Sequence, residues 1–424
     1  MMNLNNSVAI ARAYRVPPAD NKRNSAGSIQ ATRLSIGRTY QQQDDKKQKD
    51  ITLTENTNNE THSKSKFIDI CLGFKNGVES HTIEIPNSSK CTFKETKGSK
   101  ASVPVKVNAT FHGILSGHIH ESEIQSIESA PIVRGNNKQN ILTTSIDAFG
   151  TLKASINKKS INLAVGVDTI QKQIYREASW SGISLNCTAT ELKAVTAHFS
   201  SRMIQTYDLH TGKITNQFLS ALPPLAINYV NDTQILCAES HFVSLYDLRS
   251  NKLVGRISPS KGFLYSLALP SSLKASDVAP SSTVQKGSNH SNILLATGED
   301  RIVYGIDKRT WKIRHRWRAP LKYEAIQLLS SPTMPTTCYA VGLDNDILCG
   351  RWKAEPSTVN TSSYKNMLFQ NHHCGFRGDS RWVGVSIFNN VEHYDQNSGD
   401  VIVAASESGS LYVVENADNM QQSK

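Results

Sequence analysis

A short apolar strand, a turn, and a second strand closing on a bulky apolar residue followed by an acid recur along this chain. That recurrence constrains the fold more than any other feature. The clearest copy is Ile293–Asp307, ILLATGEDRIVYGID, in which a buried run is followed by small residues, Asp300 at a turn, and an alternating strand ending on Ile306–Asp307. Tyr339–Lys353 repeats it, with Asp346 six residues before Trp352 as Asp300 stands six before Ile306. Ala194–Leu209 closes on Tyr207–Asp208, Ile235–Arg249 on Tyr246–Asp247, and Val401–Glu415 on Val414–Glu415. Ile141–Ala154 is a weaker copy with its turn at Asp147 to Gly150. Tyr207 and Tyr246 are 39 positions apart. Longer intervals contain polar insertions at about 271–291 and 354–378, which restore a similar beat once they are set aside.

Many short strands with turn signals read as a sandwich, a barrel or a propeller, and a beat of about 40 residues selects the propeller. The units resemble WD repeats, whose four-stranded blades circle a central channel. The Gly117–His118 pair, followed by Ile124 and Ile127, resembles the Gly-His start of such a repeat. The resemblance implies a hydrogen-bonded His–Asp–Ser/Thr–Trp tetrad inside a blade. His118 with Asp147, and Asp346 with Trp352, are the surviving parts expected to pair. The similarity spans roughly residues 110–416. It implies an all-β propeller of seven blades, with six and eight left open. Strands near 67–73 and 82–85 would supply a further blade, and shared strands from the two chain ends would close the ring.

Composition divides the chain. Residues 1–66 hold eleven Lys/Arg against six Asp/Glu, within a formal net charge of +11. They have no apolar run longer than four residues, too little to offset the entropy of ordering. The expected organisation is a disordered basic tail over 1–66, a propeller over 67–418 and a disordered end over 419–424. A plain basic tail suits the N-terminus better than a transit peptide, because its amphipathic apolar face is short. Seven widely spaced cysteines with no CxxC suit a reducing compartment, cytoplasm or nucleus, better than a disulfide framework. No stretch approaches the ~18 apolar residues of a membrane span.

Catalytic motifs are absent from the sequence: there is no phosphate loop, nucleophile elbow or HExxH helix. His372–His373–Cys374 has no second His/Cys cluster to complete a metal site. No cofactor, metal or small-molecule substrate is therefore expected. The aspartates Asp147, Asp300 and Asp346 recur at one point of the repeat, which assigns them to turns, where Asp accepts backbone N–H bonds.

Two features point to partners. Tyr246–Asp247–Leu248–Arg249 resembles the WD-Arg box of substrate receptors for cullin-RING ubiquitin ligases. That resemblance makes Arg249 the contact to a propeller-built adaptor, Asp247 its orienting partner, and Tyr246 the substitute for the usual Trp. This reading takes Arg249 as the one such arginine in the chain. The second feature is Lys308–Lys322, KRTWKIRHRWRAPLK. Read as an outer strand, it puts Trp311, Ile313, His315 and Trp317 on one face and Lys312, Arg314, Arg316 and Arg318 on the other. Those cations either guard a sheet edge or meet phosphates. The expected function is a non-catalytic scaffold, one subunit of a larger protein complex, presenting loops and a central pore mouth. The alternative is a nucleic-acid-associated propeller in ribosome assembly or RNA processing.

Overall fold

The computed structural model describes residues 11–17, 30–42, 65–86, 95–96, 99–134, 138–163, 177–188, 191–270, 292–353, 374–389 and 399–417. Seven four-stranded antiparallel blades stand in a ring. From the inner strand outward, blade 1 is Leu34–Gln42, Ser65–Phe74, Gly77–Ile85 and Ala109–Ile114. Blade 2 is Ile124–Arg134, Lys138–Asp147, Leu152–Ile156 and Lys159–Ile161. Blade 3 is Ser181–Cys187, Leu192–His198, Met203–Asp208 and Lys213–Leu219. Blade 4 is Pro224–Asn231, Gln234–Glu239, Phe242–Asp247 and Lys252–Ile257. Blade 5 is Leu264–Ala268, Ile293–Gly298, Ile302–Asp307 and Lys312–Arg318. Blade 6 is Ala325–Ser330, Thr337–Gly342, Asp346–Arg351 and Cys374–Arg377.

All six repeat units coincide with the hairpin of second and third strands in blades 2 to 7. Those strands are covered by neighbouring blades on both faces, so they read as apolar runs. Ile293–Gly298 is buried at every position. The outer strands meet water on one side and alternate: Lys213–Leu219 switches between exposed and half-buried residue by residue. Cores form between blades rather than within them. Leu294, Ala296, Tyr304 and Ile306 of blade 5 pack on Leu236, Ala238 and Val243 of blade 4.

Blade 7 closes the ring with both chain ends. Its strands are Trp382–Asn389, Asp400–Ser406, Leu411–Glu415 and, outermost, Arg12–Val16. Arg12 pairs with Glu415 and Val16 with Leu411. Tyr14 is fully buried, and its hydroxyl donates to Glu415 at 3.2 Å. Val105–Lys106 adds a fifth, parallel strand outside it. Closure of this kind leaves no blade edge bare at the chain ends.

The expected boundary at residue 67 therefore fails at two places. Arg12–Val16 and Leu34–Gln42 belong to the ring, each paired with a strand of its blade. Buried Ala11, Ala13, Tyr14 and Leu34 anchor them in the cores on either side. The remainder of the expected tail (1–10, 18–29 and 43–64), the 271–291 insertion and the 419–424 end lie outside the described residues. The second insertion is shorter than expected, since Cys374–Arg377 is the outer strand of blade 6.

The residues just before blade 1 change what the central channel offers. Val385 of blade 7 donates its N–H to the Ala31 carbonyl, and Ile127 of blade 2 to that of Thr32. The Gln30 amide donates to the Leu225 carbonyl of blade 4 at 3.4 Å. Buried Arg33 meets Glu123 at 2.5 Å. Residues 30–33 thus lie inside the ring of inner strands, hydrogen-bonded to blades 2, 4 and 7.

Candidate partner-binding site

Strand direction alternates within a blade, so turns between third and fourth strands all emerge on one face. In blade 4 this turn carries Arg249. Asp247 ends the third strand, and its Oδ1 accepts the Arg249 backbone N–H at 2.9 Å, which folds the turn. The guanidinium returns to the same carboxylate, Nε to Oδ1 at 3.1 Å and Nη2 to Oδ2 at 2.6 Å. Two-point contact of this kind fixes a planar guanidinium. The side-chain hydrogen bonds from Arg249 pull the Asp247 pKa down to about 2. The Arg249 side chain is 72% exposed and that of Asp247 12%.

Blade 5 repeats the device with a residue that sequence reading missed. Asp307 Oδ1 accepts the Arg309 N–H at 3.0 Å, and the guanidinium meets the carboxylate at 3.4 Å through both Nε and Nη2. Arg309 is 63% exposed. Arg314 approaches the same carboxylate at 3.8 Å. The signal was present, since Ile306-Asp307-Lys308-Arg309 has the spacing of Tyr246-Asp247-Leu248-Arg249. It was hidden by Ile in place of the aromatic and by the surrounding basic run. Arg249 is therefore not the one such arginine. In blade 3, Asp208 folds the same turn by accepting from His210 N–H and the Thr211 hydroxyl, with no arginine.

Tyr246 does not reach the surface with Arg249. It is buried, its hydroxyl donates to the Glu239 carboxylate, and it accepts the Ala221 N–H at 3.0 Å. Glu239, fully buried, also accepts from the Ser244 hydroxyl at 2.7 Å and from Arg256 at 2.9 Å. Burial, together with the hydrogen bond to Glu239, pushes the Tyr246 hydroxyl pKa up.

Such clusters rebuild the expected tetrads from other residues. His118 does not meet Asp147. Its Nδ1 and Nε2 lie 2.6 and 2.8 Å from the Ser145 and Ser155 hydroxyls. His120 is the residue beside Asp147, at 3.5 Å, an electrostatic rather than a hydrogen-bonded approach, and its Nε2 shares Ser145 at 2.7 Å. Asp147 Oδ1 accepts the N–H groups of Phe149 and Thr151 at 3.1 and 2.8 Å. Asp300 takes Ile302 N–H on Oδ1, and the Ser260 and Tyr304 hydroxyls on Oδ2 at 2.6 Å each.

The other expected pair fails for a reason of register. Asp346 is the first residue of its strand and bonds Arg377 across the blade at 2.7 and 3.0 Å. The turn carboxylate is Asp344, which accepts the Asp346 N–H at 3.2 Å. Trp352 donates its indole N–H to the Pro335 carbonyl at 3.1 Å.

The basic strand keeps its alternation of exposure, with Lys312, Arg314, Arg316 and Arg318 outward-lying, but not one apolar face. The ladder shifts between Gly305 and Ile306. A bulge of this kind inverts the faces beyond it. Trp311 and Ile313 pack toward blade 4, whereas Trp317 packs toward blade 6 and His315 lies edge-on to Trp352 there. Trp311 itself sits in the preceding turn, at a φ of 50°. The cations are split by the same bulge.

Among the described residues no group of three or more His, Cys, Asp or Glu is placed to hold a metal ion. His372 and His373 lie outside them. No described helix is long and apolar enough to cross a membrane. No protein-family model matches the chain, and no curated protein matches its sequence. Fold and surface together define a seven-bladed β-propeller of WD-repeat-like architecture, a fold commonly used as a protein-interaction scaffold.

Proposed function

We propose that this chain is a non-catalytic interaction platform that docks onto a partner protein through Arg249 and Arg309. One observation carries the reading: two exposed arginines, each held by its own aspartate in the same turn, stand on one face of adjacent blades. An arginine held by a neighbour loses less conformational freedom on binding, and arginine is enriched among residues that dominate interface energies. The resemblance of the Arg249 turn to the WD-Arg box supports a finer form. In that form the chain is a substrate receptor of a cullin-RING ubiquitin ligase, and the partner is the ligase's propeller adaptor.

The test is co-purification with that adaptor, followed by titration. Arg249→Ala and Arg309→Ala should each weaken the complex at least tenfold, about 1.4 kcal/mol. Thr211→Ala, in the equivalent arginine-free turn of blade 3, should leave it unchanged. A double arginine variant that holds the adaptor as tightly as the native chain would refute the docking surface.

A further inference from the structure

The opposite face carries a second surface, independent of the arginine turns. The connections from one blade to the next emerge there. Those from blade 4 to 5 and from blade 5 to 6, with the intervening turn of blade 5, are hydrogen-bonded into one strip. Glu299 N–H donates to the Phe263 carbonyl, and Ala319 N–H to that of Arg301. Phe263 N–H donates to the Glu299 carboxylate at 3.0 Å, and Arg301 reaches the Leu321 carbonyl at 3.1 Å.

Phe263 is 49% exposed and Tyr323 46%, large values for aromatics on a rigid strip. The Lys322 ammonium lies 4.9 Å above the Tyr323 ring. Lys261, Arg316 and Arg318 are exposed on the same strip or at the adjoining end of blade 5's outer strand. Among the described residues the ion pairs of blades 4 to 6 use Arg249, Arg256, Arg309, Arg314 and Arg377, not these four cations.

Between blades 4 and 5 an open cavity of about 620 Å³ is lined by Ser258, Tyr304 and Arg316, with Asp300 at its wall. The Asp300 carboxylate is already saturated by three donors, and Glu299 is turned onto its own strip. Glu324 follows Tyr323 on the same connection. Lys261, Arg301, Arg316, Arg318 and Lys322 outnumber Glu299, Asp300 and Glu324, so the face presents a small positive excess, two aromatic anchors and a hydroxyl-lined recess.

We propose that this strip binds an acidic, apolar-containing segment of a partner protein. Aromatics beside cations that form no ion pair among the described residues match a peptide that alternates carboxylates with bulky apolar side chains. A nucleic-acid strand fits less well: the carboxylates of Glu299 and Glu324 interrupt the cations, and phosphates that follow one another without gaps would pass over them, whereas spaced carboxylates avoid them. The arginine turns point the other way, so both surfaces can be occupied at once.

A fluorescein-labelled peptide of repeating Glu-Glu-Phe units, measured by anisotropy against the full chain, tests this. Saturable binding that weakens as salt rises is expected. Lys261→Glu with Lys322→Glu should weaken it at least tenfold, and Phe263→Ser with Tyr323→Ser by a similar factor. Arg249→Ala with Arg309→Ala should not alter it. Each variant is checked for a native melting transition, and if a charge reversal fails to fold, Lys261→Gln with Lys322→Gln replaces it. The proposal is overturned if a Lys-Lys-Phe peptide binds equally well, if the folded charge variants bind as the native chain does, or if no saturable binding appears. Displacement of the peptide by a tighter-binding poly-uridine RNA would reassign the strip to nucleic acid.

Discussion

Replacing Tyr14 with alanine separates a closed ring from a propeller trailing a basic tail. Tyr14 lies 53 residues before the expected domain boundary, yet it is fully buried between blade 7 and the neighbouring core. An aromatic side chain of this kind buries roughly 150–250 Å². At about 25 cal/mol per Å² that is of order 4–6 kcal/mol, an upper bound because the unfolded chain already buries part of it. The retained Cβ returns some of the loss, while the cavity and the broken bond to Glu415 add to it. The expected destabilisation is about 3–4 kcal/mol, read as a shift of the denaturant midpoint at constant slope. Tyr14→Phe removes only the hydroxyl and should cost about 1 kcal/mol. A residue in a solvated tail would change stability by less than about 0.5 kcal/mol. If Tyr14→Ala unfolds within that margin, the N-terminal strand does not close the ring, and the register of Arg12 against Glu415 is wrong.

Two further predictions concern the buried polar clusters. Burial, with His120 and Lys153 nearby, lowers the His118 pKa from its ordinary value of 6.5 to about 4. The folded chain thus resists a proton that the unfolded chain takes, so this contribution to stability is complete above about pH 6.5. It falls as pH drops toward 4, by about 3 kcal/mol if no other group intervenes. Denaturant titrations across that range should show the loss, and His118→Asn, neutral throughout, should remove most of it. A His118→Asn slope equal to the native one would assign the acid sensitivity elsewhere. Glu239→Ala leaves Tyr246, Ser244 and Arg256 facing a void and should destabilise by about 2–4 kcal/mol. Glu239→Gln keeps the shape and should recover part of that, and equal losses from the two would show that the charge, not the packing, is what matters.

How much of this was legible in the sequence depends on how a residue is covered. The hairpins of blades 2 to 7 could be read because strands packed on both faces must be apolar throughout, as in Ile293–Gly298. Arg12–Val16 could not be read, because its covered residues are few and mostly small: Ala11 and Ala13 pack on one side and Tyr14 on the other. Its two arginines and the polar residues around it made it resemble tail. Leu34–Gln42 was missed for a related reason: its apolar residues alternate inside a segment whose overall composition is basic and polar. Composition averaged over a window measures the mean environment, and strands added from a chain end lie in windows dominated by their flanks. The bulge that leaves Arg314 without a ladder partner opposite Gly305 had no sequence signal strong enough to set the face of each cation. Glycine there suits the close packing of His315 and Trp352, with a Cβ position only 3.0 Å from His315.

The arginine turns and the blade clusters show which part of a repeat the sequence keeps and which it lets drift. A buried polar cluster must be satisfied, but many donor and acceptor sets can satisfy it. Glu239 with Tyr246, Asp300 with Ser260, and His118 with two serines do so in three different ways. Searching for one fixed tetrad therefore fails in this chain even though the blades are intact. The Asp247 and Asp307 turns have no such freedom if a partner reads the arginine. The carboxylate must fold the turn through the N–H two residues on and also hold the guanidinium, which fixes the Asp-x-Arg spacing. Blade 3 sets the contrast, since its Asp208 folds the same turn with His210 and Thr211 and gives up the arginine. Folding alone accounts for the aspartate in all three blades. It does not account for an arginine exposed beside it in two of them, and that residual requirement is what the docking proposal explains.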